Sequence, residues 1–254
     1  MRRFDPAGNH LLRKLEAFGR LPDEDRAALD AIWEGSRRSV AAQHDIVREG
    51  DPPRCIRVMA KGWACRYKML VDGRRQITGI LLPGAVFDLN IYMLKSMDHS
   101  VRALTPVQYF VLPPLEFDRL MVGRPRVMRA LWCQPLTNAA IQREWTVNLG
   151  QRSALERFAH VLCELYLRLQ VVGMAADNSC DFPLTQSELA DMLGLTTVHV
   201  SRTLKELRTR GLIRLRGQRL EMLDLHELCR IAMFDANYLH LEQDNDVPEL
   251  IDCA

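Results

Sequence analysis

The segment TQSELADMLGLTTVHVSRTLKELRTRGLI, residues 185–213, constrains the fold more strongly than any other part of the chain. It opens with Thr185 and Glu188 in T-x-x-E spacing, which is the capping box that starts a helix. Gly194 follows the apolar end of that helix and can adopt the left-handed conformation that ends it. A second helix is predicted to begin at about Thr196. Two short helices joined by a glycine-containing turn form a helix-turn-helix.

The residue types within this motif fit two helices that cross closely. Ala190 is small at the crossing, and Val200 and Leu204 are predicted to face inward from the second helix. Such a helix fits the major groove of DNA, where residues near its N-terminus reach base edges. Arg202 can donate two parallel hydrogen bonds to guanine, and Val198 can pack on a thymine methyl group. The residues predicted to contact DNA from this helix are Thr197, Val198, His199, Ser201, Arg202 and Lys205.

Positive charge is concentrated in the same part of the chain. Between Thr185 and Arg219 there are seven basic and three acidic residues, although the net charge of the whole chain is only +2. The run LIRLRGQRLEML alternates around Gly217, which predicts a β-hairpin wing. Arginines in the wing suit DNA phosphates, and Arg216 is the wing residue that we select as a DNA contact. The other two wing arginines are Arg214 and Arg219. The alternative is a helical hairpin with a solvated basic face, but the agreement of cap, turn and charge favours the DNA-binding motif.

The first half of the chain has a different pattern. Residues 10–36 are predicted to form short amphipathic helices. Over residues 39–114, short alternating runs are separated by turn residues, which is typical of a β-sandwich or jelly roll. Within it, Asp72 and Gly73 predict a hairpin with a type I′ turn.

Residues 115–170 have a helical pattern. A proline inside a helix costs about 3 kcal/mol, so a long helix is predicted to begin at Pro135, where a first-turn proline is tolerated. An apolar stripe on this helix predicts a homodimer through residues 135–149. The stripe consists of Ile141, Trp145 and Leu149.

The remaining boundaries follow from the same patterns. Residues 171–183 are predicted to be a linker, and Asp224 with Glu227 predicts a last helix through about Leu241. We therefore divide the chain into four parts, which are the N-terminal helices and β-roll sensor domain (1–124), a dimerisation helix (125–150), a DNA-binding domain with a C-terminal helix (151–241) and an acidic tail (242–254).

Several functional classes are disfavoured by what the sequence lacks. No apolar run reaches the length of a membrane span and no apolar stretch follows the basic start, so the expected location is the cytoplasm. The seven cysteines are scattered and never form C-x-x-C, so neither a zinc nor an iron–sulfur site is expected. We find no glycine-rich phosphate loop, G-x-S-x-G or H-E-x-x-H, so no enzymatic activity and no cofactor are predicted.

Residues 20–225 resemble the family of the cyclic-AMP receptor protein and the fumarate–nitrate reduction regulator, most closely in LTQSELADMLGLTTVHVSRTLKELRTRGLI. The resemblance implies an α+β fold with a cyclic-nucleotide-binding-like jelly roll, a long dimerisation helix and a winged helix-turn-helix. It also implies a homodimer on double-stranded DNA, with RNA polymerase as a partner. Ser201-Arg202 matches the family's recognition-helix serine or glycine followed by a base-contacting arginine. The glutamate common in the family aligns with Val198 or His199, so a different operator is expected.

The sensor half departs from the family's cyclic-nucleotide cassette. The cassette has a Gly-Glu-Leu turn followed by Arg-Ser or Arg-Thr for the cyclic phosphate, whereas the phosphate segment here, residues 95–100, has no arginine. A cyclic phosphate needs a cation and a bidentate donor, which Met97 and Asp98 do not supply, so cyclic AMP binding is not expected. The candidate ligand-binding residues are Asp88, Leu89, His99 and Ser100. Several signals are possible for the sensor domain. They include a proton or a metal ion bound at His99, and a haem. The alternative function is a cyclic-nucleotide-binding regulatory module that does not act on DNA.

Overall fold

The computed structural model describes residues 6–30, 36–89 and 94–241, and the chain divides into two compact units, Met1–Pro135 and Leu136–Ala254. The helices of the described residues are α1 (Pro6–Glu16), α2 (Asp23–Asp30), α3 (Pro114–Met121), α4 (Pro125–Gln151), α5 (Ala154–Val171), α6 (Gln186–Leu193), α7 (Thr197–Thr209) and α8 (Leu225–Ala232), with a 3₁₀ helix at Ala236–Leu239. The strands are β1 (Ser36–Val40), β2 (Asp45–Val47), β3 (Ile56–Lys61), β4 (Ala64–Met69), β5 (Arg75–Leu81), β6 (Val86–Phe87), β7 (Ser100–Ala103), β8 (Val107–Leu112), β9 (Ala175–Ala176), β10 (Ser179–Asp181), β11 (Ile213–Arg216) and β12 (Arg219–Met222).

The first unit contains the predicted β-roll. Its strands form two four-stranded antiparallel sheets, in the orders β1-β8-β3-β6 and β2-β7-β4-β5. Met59, Phe87 and Val101 belong to one buried apolar cluster of this unit. A second cluster joins Leu15 of α1 and Leu131 of α4 to residues of the first sheet. The sandwich predicted from the alternating pattern is therefore confirmed.

The β4–β5 hairpin has a different turn from the one predicted. A type I′ turn needs positive φ at both central residues, whereas only Gly73, with φ of 86°, has it in this loop. The Gly73 backbone N–H donates to the Leu70 carbonyl at 2.9 Å, and the Leu70 N–H donates to the Arg74 carbonyl at 2.8 Å. The hairpin is confirmed, but its loop is longer and the turn type was wrong.

Helix α4 begins earlier than Pro135. It starts at Pro125, and Pro135 lies inside it. The missing backbone N–H of Pro135 is tolerated because the preceding turns are held by tertiary contacts. Val127 and Leu131 are buried in the core of the first unit, and the Gln134 side-chain oxygen accepts a hydrogen bond of 3.2 Å from the Val86 N–H. Packing thus outweighs the local preference on which the prediction rested.

The second unit is built around α5, which has a continuous run of buried residues from Phe158 to Leu167. Strands β9 and β10 form a hairpin within the segment predicted to be a linker, so that prediction was wrong. The hairpin joins the wing in one sheet of order β11-β12-β10-β9. Its turn places Asp177 and Asn178 at positive φ, a conformation that these two residue types tolerate.

The last helix is shorter than predicted. Asp224 caps the start of α8 by accepting from the Glu227 N–H at 2.9 Å, as its position indicated. The helix ends at Ala232 because Met233 takes the left-handed conformation, and the 3₁₀ helix follows instead of a continuation to Leu241. The acidic tail lies outside the described residues. Among the residues that are described, no helix is both long and apolar enough to cross a membrane.

Candidate nucleic-acid interface

The helix-turn-helix forms with the predicted local chemistry. Thr185 caps α6, since its hydroxyl accepts from the Glu188 N–H at 3.2 Å and the Glu188 carboxylate accepts from the Thr185 N–H at 2.8 Å. Gly194 ends α6 with φ of 64° in the left-handed region. Thr196 then caps α7 by accepting from the His199 N–H at 3.2 Å. Thr185 and Gly194 have the roles predicted from the sequence, and α7 begins directly after Thr196, close to its predicted start.

The inner and outer faces of α7 separate as predicted. Val200 and Leu204 are buried, and Ala190 of α6 is buried as well. The predicted DNA contacts Thr197, Val198, His199, Ser201, Arg202 and Lys205 are all exposed. Val198 is 59% exposed, although it is an apolar residue of a well-packed unit. An exposed face of this kind is available to a partner outside the chain.

The basic side chains of α7 and of its C-cap residue, Arg210, fall into two groups. Arg210 is paired with Glu206 one turn before it on the same helix. Arg202, Lys205 and Arg208 are exposed and have no acidic partner in the part of the chain that is described. Arg208 was not among the predicted contacts. Its spacing of i+7 from Ser201 places it on the same helix face, so the helical period could have identified it.

The wing is formed by β11 and β12. Two of its three arginines form ion pairs with acidic residues of the same chain. Arg214 pairs with Glu221 on the neighbouring strand at 2.6 Å. Arg219 pairs with Asp181 of β10 at 3.3 Å and donates to the Ser179 hydroxyl at 2.6 Å. Arg216 is exposed and has no ion pair within the described residues. The structure therefore favours Arg216 as the wing cation that is available to a phosphate.

The candidate ligand residues of the β-roll contact their own chain. Asp88 is buried at positive φ and forms an ion pair with Arg57. Burial raises the pKa of Asp88, and the Arg57 guanidinium opposes that rise. His99 Nδ1 lies 2.6 Å from the Asp98 carboxylate, and the buried Ser100 hydroxyl accepts from the Glu49 N–H at 3.0 Å. Leu89 is partly buried against a core cluster.

The segment that aligns with the phosphate site, residues 95–100, has no arginine, and neither Met97 nor Asp98 carries a positive charge. Met97 is buried in the core of the β-roll, with its backbone hydrogen-bonded to Gly50 and Asp51. The Asp98 side chain is 77% exposed and directed to His99. A nearby arginine, Arg102 of β7, is held by Asp45 at 2.8 Å.

The faces of α4 differ from the prediction. Ile141 and Trp145 are buried, so two of the three residues of the predicted dimer stripe pack within their own chain. Leu149 is 39% exposed. A different set of apolar residues on α4 is exposed, with spacings of four, four and eleven residues that place its members on one side of the helix. This exposed stripe consists of Met128, Trp132, Leu136 and Val147.

Comparison with known proteins agrees with both halves of this architecture. The Crp-like helix-turn-helix domain model matches residues 156–231, and the cyclic nucleotide-binding domain model matches residues 37–123. A probable transcriptional activator of Rhizobium leguminosarum bv. viciae is 31% identical over 196 residues, which are 77% of this chain and 80% of the relative. The chain belongs to the Crp/Fnr family of transcription regulators. The nitrogen fixation regulation protein FixK of Bradyrhizobium diazoefficiens is 30% identical over 75% of this chain and 79% of its own.

A solved structure of the family has the same fold. FixK2 from Bradyrhizobium japonicum matches with a TM-score of 0.70 and 26% identity, over 79% of this chain and 98% of that one. The predicted family and the predicted fold class are thereby confirmed. The α6–α7 motif is the DNA-binding helix-turn-helix of a Crp/Fnr regulator.

Proposed function

We propose that this Crp/Fnr protein is a homodimer that binds a sequence-specific DNA site through α7 and the wing, and that its β-roll does not respond to cyclic AMP. The observation that carries the proposal is the exposed outer face of α7, with Arg202, Lys205 and Arg208 lacking acidic partners among the described residues. A helix that binds in the major groove needs exposed side chains near its N-terminus for the base edges and cations without acidic partners for the phosphates.

Specific and general contacts are expected from different residues. Arg202 lies in the second turn of α7 and has the fork geometry that recognises guanine. Ser201 and Thr197 can bind phosphates or bases, and Val198 offers an apolar contact for a thymine methyl group. Arg216 in the wing would contact phosphate, which fixes orientation without reading sequence.

The dimer is supported by the exposed stripe on α4. Trp132 and Leu136 are 55% and 65% exposed, which is unusual for large apolar side chains in a series along one helix. Burial of this stripe against the same stripe of a second copy gives a two-fold interface. Two recognition helices related by that axis then read two half-sites about one turn of DNA apart.

The sensor proposal rests on chemistry rather than on the presence of the domain. The position aligned with the phosphate-binding arginine is the buried thioether of Met97, and the next residue is an exposed carboxylate. Neither can bind a cyclic phosphate, which needs a cation with parallel donors. The β-roll is therefore proposed to transmit another signal.

The names of the relatives support two further parts of the proposal. The relative from Rhizobium leguminosarum is named a probable transcriptional activator. An activator acts on the transcription machinery, so we propose RNA polymerase as a partner, and the bacterial cytoplasm, where the genome lies, as the place of action.

The test begins with a random pool of duplex DNA, because the operator is unknown. Fragments that the purified protein retains are sequenced, and the resulting duplex is titrated by fluorescence anisotropy beside a scrambled duplex over a series of salt concentrations. We expect a preference of at least about a thousandfold for the selected duplex and a log–log salt slope of about −0.9 for each phosphate neutralised. Equal affinity for the selected and scrambled duplexes would contradict the proposed function.

A further inference from the structure

Arg157 lies in the first turn of α5, immediately after the break between α4 and α5. Its guanidinium donates to three backbone carbonyls. Nη2 donates to the carbonyls of Leu149 and Arg152 at 3.1 Å each, and Nη1 donates to the carbonyl of Leu193 at 2.5 Å. Leu149 lies in the last turn of α4, Arg152 directly follows that helix, and Leu193 is the last residue of α6. One side chain therefore joins α4 to the first helix of the helix-turn-helix.

The chemistry of these contacts explains why an arginine is suited to this place. The last carbonyls of a helix have no donor within the helix, and they form the negative end of its dipole. A planar guanidinium presents several N–H donors in a fixed fork and can bind two helix ends at once. The Arg157 side chain is partly buried at this junction, and this burial lowers its pKa.

A second contact makes the same junction tight. A Cβ atom placed on Gly194 would lie 3.0 Å from Cδ2 of Leu149 and 3.7 Å from Nη1 of Arg157. The turn between α6 and α7 thus approaches the end of α4 closely. A separate hydrogen bond connects the end of α4 to α8. In it, Arg152 donates to the carbonyl of Ala232, the last residue of α8.

We propose that Arg157 is a positioning residue, which fixes the orientation of the helix-turn-helix relative to the end of α4 and so sets the half-site spacing that the dimer reads. The inference rests on the proposed function, because spacing has meaning only for a dimer on DNA. With α4 anchored at the dimer axis, a small rotation at the α4–α5 junction moves α7 by a larger distance. Two recognition helices must be held about 34–36 Å apart to enter successive major grooves.

Two substitutions separate geometry from charge. Arg157→Lys keeps the positive charge and most of the stem but cannot bind both helix ends with one planar group. Arg157→Gln removes the charge as well. Arg230→Gln is the matched control, because it removes an arginine charge from the same unit at an exposed position, where the side chain is paired with Glu227.

The experiment measures how strongly DNA affinity depends on the spacing between the two half-sites. The palindrome selected by the wild-type protein is resynthesised with its half-sites moved one and two base pairs closer or further apart. Affinity for each duplex is measured by anisotropy at one salt concentration, together with affinity for a single half-site. Thermal unfolding is recorded in parallel, and Arg157→Lys decides the question if Arg157→Gln does not fold.

We expect wild type and Arg230→Gln to lose about tenfold or more in affinity for each base pair of altered spacing, comparable to a mismatched base pair. Both Arg157 variants are expected to reduce that loss to about twofold or less, with single half-site affinity kept within about twofold, because α7 itself is unchanged. Wild-type spacing selectivity in folded Arg157→Lys would overturn the inference. Failure of the wild-type protein to prefer any duplex would instead overturn the proposed function.

Discussion

The indole Nε1 of Trp145 on α4 donates a hydrogen bond of 2.9 Å to the carboxylate of Glu164 on α5, and both side chains are buried. The Tyr238 hydroxyl donates to the same oxygen at 3.1 Å, and Arg168 binds the other oxygen at 2.9 Å. A buried carboxylate is tolerated when donors surround it in this way. The inner face of α4 is therefore used within the chain, and the exposed stripe on its other side is the surface that we propose for the dimer.

Replacing Trp132 by alanine is expected to weaken the dimer. The side chain is a 55% exposed member of the stripe, and tryptophan residues that become buried in an interface commonly contribute about 2 kcal/mol or more. The dimer dissociation constant should rise by about thirtyfold or more. Sedimentation velocity over a concentration series measures it, and thermal unfolding at high dilution should change little.

Trp145→Phe is the control on the opposite face. It removes the donor to Glu164, so the free energy of unfolding should fall by about 1–3 kcal/mol, while the dimer dissociation constant stays near that of the wild type. If Trp145→Phe separates the dimer and Trp132→Ala does not, the stripe has been assigned to the wrong face.

The helix-turn-helix could be predicted in detail because its determinants are local. Thr185, Gly194 and Thr196 each act within one turn of their own positions. The faces of α4 could not be assigned from the sequence, because the helix has apolar residues on two sides. Periodicity finds both stripes, but only the packing of α5 shows that Trp145 belongs to the core.

Ion pairs between residues far apart in the sequence could not be predicted for a similar reason. The partner of Arg219 is Asp181, which lies 38 residues earlier, in a segment predicted to be a linker. The partner of Asp88, which directly follows β6, is Arg57 on β3. Which charges remain available for a ligand depends on these pairs, and they form only once the sheets are assembled.

The β-roll should not bind cyclic AMP or cyclic GMP. The side chains of the buried Met97 and the exposed Asp98 offer no donor to a cyclic phosphate, and the Asp88 carboxylate forms an ion pair with Arg57. Titration calorimetry should show no saturable heat at submillimolar nucleotide, and DNA affinity should be the same with and without it. A dissociation constant in the micromolar range would contradict this prediction.

Arg202 and Arg216 should affect DNA binding in different ways. Arg202→Ala should cost about 1–3 kcal/mol on the selected site and relax the preference at one base pair in each half-site. Arg216→Ala should weaken all duplexes about equally and reduce the salt slope by about one unit. Competition anisotropy with single-base variants of the selected duplex distinguishes these two effects.

Arg214→Ala is the matched control for the wing. Its guanidinium is paired with Glu221, so its removal should change DNA affinity less than the removal of Arg216. The side chains of Arg202, Arg214 and Arg216 are all exposed, so replacing any of them by alanine should change thermal stability little. Intact operator preference in Arg202→Ala, together with altered preference in Arg216→Ala, would show that α7 is not the reading helix.

His160 should make the stability of the second unit depend on pH. It is fully buried, and burial together with the charge of Arg152 lowers its pKa from 6.5 to about 3, so the neutral ring accepts from Asn148 at 3.0 Å. Below about pH 6.5 the unfolded chain binds a proton at His160, whereas the ring in the folded chain stays neutral until the pH approaches 3. The stability that the neutral buried ring contributes is therefore complete above about pH 6.5 and is lost as the pH falls toward 3.

In His160→Gln this loss of stability at low pH is absent. The difference in unfolding free energy between wild type and variant, measured by urea titration, should therefore shrink by up to about 1.4 kcal/mol per pH unit below about pH 6.5. A difference that does not change with pH would mean that the buried ring is protonated in the folded protein, or that it becomes accessible to water.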